Sequence, residues 1–185
     1  MKTILLTGAA GFIGSHVADR LLSDGHRVIA VDNFCDYYNP LFKEENIAAQ
    51  KENPNYHLYR CDFTDMEALR RVMSAHTIDA IIHLGAQAGV RYSIAHPLQT
   101  QHVNITGTTN IFECARKFNI PQVIFASSSS VYGNQEKTPF SEDDAVDYPI
   151  SPYAASKKAC ELIAFTYHHL YNINAIGVRL FNVYG

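Results

Sequence analysis

The first thing the chain lacks is a long apolar run: none approaches the roughly 20 residues that cross a bilayer, so no stretch reads as a membrane anchor. It also lacks a charge bias. With 15 basic against 18 acidic residues, a net charge of −3 and no basic run, it carries no electrostatic footprint for nucleic acid or anionic lipid. Its four cysteines, Cys35, Cys61, Cys114 and Cys160, are scattered without C-x-x-C spacing, and no charged-then-apolar leader precedes the first strand pattern. A reducing, cytoplasmic setting is the expectation. The nine histidines include no H-E-x-x-H or other ligand spacing; His83 sits in an apolar strand and reads as a packed residue, and the adjacent His168 and His169 cannot share one helical face. No metal site is expected. Tryptophan, internal repeats and low-complexity segments are absent as well. What remains is the profile of a single α/β domain with a sizeable core and a small-molecule partner.

What is present alternates. Apolar runs rich in branched residues at 2–7, 26–32, 56–62, 78–84, 121–127 and 173–181 read as strands buried on both faces. Between them lie helical patterns near 12–24, 40–52, 65–76, 98–119 and 153–171. Such alternation predicts a parallel, doubly wound sheet with right-handed crossovers. The stretch Thr138 to Pro152 is the longest expected loop. The chain stops at FNVYG, directly after a core strand, which reads as a cut rather than a natural end.

The first strand pattern leads into TGAAGFIGSH, with glycines at 8, 11 and 14. Gly8 permits a tight turn, Gly11 lets the backbone approach a pyrophosphate, and Gly14 allows close helix-on-sheet packing, with the anion at the helix N-terminus. A glycine triplet alone serves equally as an empty tight turn. Here it follows a strand, opens a helix and is followed, 18 residues past Gly14, by Asp32 at the end of the second strand. A carboxylate there can accept from both adenosine ribose hydroxyls and repel a 2′-phosphate, and no arginine stands next to it, so NAD is favoured over NADP. Asp62 has two open readings, acceptor for the adenine amino group or helix N-cap shared with Thr64.

Tyr153 and Lys157 are four apart in SPYAASKKA and fall on one helical face. Upstream, ASSSSVYG ends a core strand, at the side of an open sheet where ligands bind. A phenol of pKa near 10 needs a drop of about three units to act as a base at neutral pH. An ammonium 4 Å away supplies roughly that, about 4 kcal/mol at an effective dielectric near 20, and half of it at 8 Å. If the lysine also holds the cofactor ribose it sits at the longer distance, and oxidised nicotinamide supplies the rest. Tyr-x-x-x-Lys arises easily by chance; in this order with the glycine loop, Asp32 and the serine run it becomes a strong catalytic candidate.

Together, TGAAGFIG, VDNF, CDFTD, HLGAQAGVRYS, NITGTTN, ASSSSVYG, SPYAASKKA and RLFNVYG resemble the extended short-chain dehydrogenase/reductase family, the NAD-dependent nucleotide-sugar epimerases and dehydratases. Within it, DNFCDYYNP, HLGAQAGVRYS and PFSEDDAVDYPIS look most like UDP-glucuronate 4-epimerases. The resemblance implies a Rossmann-type NAD-binding domain over 1–185 whose C-terminal substrate lobe is absent from this chain. It implies Ser128, Tyr153 and Lys157 as catalytic residues and a cofactor site of Gly8, Gly11, Phe12, Ile13, Gly14, Asp32, Asn33, Asp62, Phe63, Leu84, Ala86 and Asn104, shared with Tyr153 and Lys157. Ser129, Ser130 and Asn182 would face the nucleotide sugar. Arg91 reads either as a contact to its phosphate or carboxylate or as a solvated surface arginine. Dehydratases of the family carry an acid pair at the positions of Ser129 and Ser130, so epimerisation through a 4-keto intermediate is expected. The pattern departs from the glucuronate type at Gly85 and Asn182, where alanine and threonine are the family's residues. A homodimer through the helices near 98–119 and 153–171 is implied. The alternatives are a cofactor-binding fragment without activity, or a 4-epimerase or decarboxylase acting on another nucleotide sugar.

Overall fold

The computed structural model describes residues 1–185, all of the chain. Six strands, β1 (Thr3–Thr7), β2 (Arg27–Asp32), β3 (Tyr56–Arg60), β4 (Ala80–His83), β5 (Gln122–Ser128) and β6 (Asn174–Leu180), form one parallel sheet in the order β3-β2-β1-β4-β5-β6. Side chains alternate across it. Leu5, Ile29, Val31, Ile81 and Val123 join one apolar cluster, while Leu6, Val28 and Ala30 join another, which places a core on each face of the sheet. The chain leaves β1 toward β2 and β3 on one side and returns to β4 on the other, so the carboxyl ends of β1 and β4 flank the switch point where a crevice opens.

The helices start where local chemistry lets them. Helix α1 (Phe12–Ser23) begins at Gly11 with no side chain capping it and no acid in its first turn. Helix α2 (Pro40–Asn46) is capped by Asn39, α3 (Met66–Ser74) by Asp65, and α7 (Pro152–Tyr171) by Ser151, whose hydroxyl accepts from Ala154 N at 3.1 Å. No helix is long and apolar enough to cross a membrane.

Three sequence expectations are corrected. The expected helix at 98–119 is α5 (Pro97–Gln101), a π-helical turn His102–Thr106 and α6 (Gly107–Lys117), preceded by a short helix α4 (Val90–Ala95) that no pattern announced. The run at 40–52 is α2 followed by a separate 3₁₀ turn, Gln50–Glu52. Strand β6 is not buried on both faces: it is the sheet edge, and Ile176 and Val178 are 43% and 41% exposed, because no further strand or helix covers them.

Candidate active site

Three adjoining hollows run along the carboxyl ends of the strands. The first, about 140 Å³, is bounded by Gly8, Asp32, Asn33, Asp62, Phe63 and Gly85. The second, about 270 Å³, lies over Gly11, Phe12, Ile13 and Gly14. The third, about 490 Å³, holds Ser128, Ser129, Ser130, Tyr153, Lys157 and Asn182. Ile13, Leu84 and Ala126 wall both the second and third, and Ala86 both the first and third, so the hollows form one elongated trough. A larger groove of about 560 Å³ lies between β6 and α7 and adjoins the third hollow at Phe181, and its Glu161 and Arg179 already pair with each other.

The glycine turn is tight for backbone reasons. Gly8 has φ +67°, and a Cβ there would stand 2.7 Å from Gly85 N. A Cβ on Gly14 would stand 2.0 Å from Gly8 O. Gly11 is different, with Gly8 O at 3.2 Å and the Tyr38 hydroxyl at 3.9 Å as its only near neighbours, so its outer side faces the hollow. Gly85 is explained as well: an alanine Cβ would sit 2.6 Å from the Phe63 ring.

Asp32 is buried and more heavily engaged than its sequence suggests. Oδ1 accepts from Lys43 Nζ at 3.0 Å and Phe34 N at 2.9 Å, and Oδ2 accepts from Ala10 N at 3.1 Å. Both oxygens are therefore not free for two ribose hydroxyls, and although no arginine adjoins Asp32, a lysine does. Burial alone would lower the Lys43 pKa, but the charge and hydrogen bond of Asp32 outweigh it and raise the ammonium above its ordinary value. Asp62 does not cap α3, a role Asp65 fills. Its Oδ1 accepts from Thr64 N and Oγ1 at 2.8 and 2.7 Å, and its Oδ2 from Asn33 Nδ2 at 2.8 Å. Burial pushes that carboxyl up, but these hydrogen bonds prevail and hold it below the usual range.

Tyr153 stands in the first turn of α7 and Lys157 one turn on, with Nζ 5.9 Å from the phenol ring centre. Ser128 ends β5, and its Oγ accepts from Ser130 N at 3.1 Å. The tuning expected of the lysine is not seen here. Burial raises the Tyr153 pKa, and the opposing influence is the neighbouring Ser128 hydroxyl, which donates to Ser130 Oγ at 3.1 Å, rather than the lysine charge. Burial lowers the Lys157 pKa. Lys157 is 5% exposed, and its ammonium donates to Ala126 O at 2.8 Å, leaving two donors without a protein acceptor. A ribose would supply two hydroxyl acceptors, so trough and ammonium fit a dinucleotide.

Side chains behind the hollows hold this arrangement, among them Asn104, expected in the cofactor site but buried and lining none of the three hollows. Asn104 accepts from Gln87 N at 2.8 Å, donates to Gln87 O at 3.1 Å and to Ser156 Oγ at 2.9 Å, and so locks the Ala86 loop to α7 behind Tyr153. His83 bridges Thr7 Oγ1 at 2.6 Å and Thr108 Oγ1 at 3.1 Å, and burial, with the charge of Lys157, lowers its pKa to about 3, so it packs as a neutral ring. Arg179, on β6, donates to Glu161 and to the Tyr132 hydroxyl, and Ser127 donates to Glu161, joining sheet, α7 and loop beside Ser128. Arg91 is exposed in α4 and lines none of the three hollows. No cluster of three potential metal ligands occurs.

Comparison with known proteins follows the same lines. A family profile described as GDP-mannose 4,6 dehydratase matches residues 5–185. Protein CapI of Staphylococcus aureus is 48% identical over 98% of this chain and 54% of its own length. UDP-glucuronate 4-epimerase of Thermodesulfobacterium geofontis is 44% identical over 100% of this chain and 57% of its own length. The crystal structure of UDP-glucuronic acid 4-epimerase from Bacillus cereus, in complex with UDP-glucuronic acid and NAD, superposes with a TM-score of 0.89 at 34% identity, over 99% of this chain and 57% of that one. The chain thus spans a little over half the length of these relatives.

Proposed function

Because this chain belongs to the GDP-mannose 4,6-dehydratase family of extended short-chain dehydrogenase/reductases, we propose that it is the NAD-binding part of a UDP-sugar 4-epimerase, with UDP-glucuronate as the sugar nucleotide. The observation that carries the reading is the convergence of Ser128, Tyr153 and Lys157 on one cleft continuous with the glycine turn. Support for the sugar comes from relatives whose names specify UDP-glucuronate. The chain's serines at 129 and 130, where dehydration would call for acids, favour epimerisation over loss of water.

When bound, NAD supplies a hydride acceptor that later returns the hydride. Tyr153, ionised to the phenolate, takes the proton from the sugar 4-hydroxyl and gives it back after the 4-keto sugar has turned over, so net redox change is zero. Ser128 hydrogen-bonds the same oxygen and favours the ionised phenol, placing its dipole where charge develops. Lys157 offers its two spare donors to the ribose hydroxyls. Asn104 keeps the loop carrying Ala86 in place. Ser129, Ser130 and Asn182 line the same cleft and would face the sugar. A homodimer through α5, α6 and α7 is part of the proposal, supported by Leu98, Leu162 and Phe165, which stand 81%, 57% and 69% exposed there.

Mixing the chain with NAD and UDP-glucuronate and following the sugar by proton NMR tests the reading; UDP-galacturonate should accumulate. Calorimetric binding of NAD without binding or turnover of UDP-sugars would favour the second reading, a cofactor-binding module.

A further inference from the structure

The Asp32–Lys43 pair lies in the hollow assigned above to the adenosine end of the cofactor, and the inference rests on that assignment. Both side chains are nearly sealed from solvent, at 4% and 6% exposure. A carboxylate has about four lone-pair positions; Lys43, Phe34 N and Ala10 N take three of those on Asp32, which leaves one on Oδ2. The ammonium has three donors. One goes to Asp32 at 3.0 Å and one to Cys35 Sγ at 3.6 Å, and the third has no protein acceptor. The Phe34 and Tyr38 rings, 5.9 and 5.4 Å from Nζ, hold the charge in place. A ribose entering this hollow meets one acceptor and one cationic donor side by side, on Asp32 and Lys43.

We propose that Lys43 is a specificity-determining residue for the cofactor's adenosine ribose: neutralised by Asp32 it serves a pair of hydroxyls, and released from Asp32 it would bind a 2′-phosphate. The carboxylate alone would repel NADP, as its sequence position implies. With the lysine beside it, rejection depends on the carboxylate keeping the ammonium engaged. The choice between the two dinucleotides is therefore made by which group holds Lys43. No charged group other than Asp32 accepts a hydrogen bond from its ammonium.

The test is calorimetric titration of NAD and NADP into the wild-type chain, Lys43→Met, Asp32→Asn, Asp32→Ser and Asp32→Asn/Lys43→Met, with thermal melts to check folding. Wild type should prefer NAD. Either Asp32 variant should bind NADP about tenfold to a hundredfold more tightly than wild type, the range of a charge-assisted hydrogen bond. The gain should shrink with added salt and vanish in the double variant. Lys43→Met alone should widen the preference for NAD by about tenfold or more, which keeps the proposal exposed to refutation even if both Asp32 variants unfold. A gain that survives the double variant, or a preference unmoved by Lys43→Met, overturns the proposal while leaving the cofactor assignment intact. If wild type binds neither dinucleotide, the cofactor assignment fails and the proposal fails with it.

Discussion

Gly14 and Gly11 share one turn but should fail for different reasons when given a methyl group. At Gly14 the added carbon would lie 2.0 Å from Gly8 O, 2.8 Å from Gly8 C and 3.0 Å from Ala9 Cα. All three are backbone atoms, so no rotamer change relieves the clash. Overpacking costs about 1–3 kcal/mol, and alanine's better helix propensity returns about 1 kcal/mol. With backbone as the obstacle the upper end applies, for a net loss of about 2 kcal/mol. At about 2–4 °C of Tm per kcal/mol for a chain of this size, Gly14→Ala should melt roughly 4–8 °C below wild type. At Gly11 the nearest atom would be Gly8 O at 3.2 Å. A displacement of a few tenths of an ångström accommodates that contact, and Gly11→Ala should melt within about 2 °C of wild type. Its methyl group, however, stands where a pyrophosphate must approach the backbone, so NAD affinity should fall by about tenfold or more. Circular-dichroism melts and calorimetric NAD titrations of the two variants separate the cases. If Gly11→Ala melted as low as Gly14→Ala yet bound NAD like wild type, the division of labour in the turn would be wrong.

Tyr153→Phe should lower kcat by about 10² to 10⁴ while NAD affinity, read by calorimetry, stays within about threefold; equal losses in both would contradict the role given to the phenol. Lys157→Met removes a buried ammonium and the donor to Ala126 O, opposing effects that should leave Tm within about 4 °C of wild type but weaken NAD binding about tenfold; unchanged binding would rule out the ribose contact. Burial pushes Glu161 up, but hydrogen bonds from Arg179 and Ser127 outweigh this and hold its carboxyl below its ordinary, unfolded-chain value. The stability it contributes is present above that value and is lost as pH falls through the lower folded pKa. The Tm advantage of wild type over Glu161→Gln should accordingly shrink as pH is taken from about 7 to about 3, and a constant advantage would refute the linkage.

Much of this was legible in the residues because the relevant signals are local. Branched apolar runs mark β1 to β5 within a few residues of their ends, and Asn39-Pro40 and Ser151-Pro152 mark helix starts. That Tyr153, Lys157 and the serine run would share one cleft was legible because a helical turn and a strand end fix where such side chains project; the choice of Ser128 among the serines came from the family resemblance. What escaped depends on neighbours distant in sequence. INAIGVRL has the composition of a core strand, yet its exposure follows from its place at the sheet edge. The π-helical turn at 102–106 leaves no trace in apolar periodicity, and α4 is too short to have one. Lys43 lies in the charged stretch PLFKEEN, where a lysine reads as solvated; only the fold carries it onto Asp32. The raised Tyr153 pKa arises from burial by segments far along the chain, which no four-residue spacing reveals.

The most direct test is a crystal structure of this chain with NAD bound. The Tyr153 hydroxyl should lie within about 4 Å of nicotinamide C4, near reacting distance, with Lys157 donating to both hydroxyls of the adjoining ribose. A phenol turned away from the ring, with the nicotinamide seated elsewhere, would contradict the account at its centre.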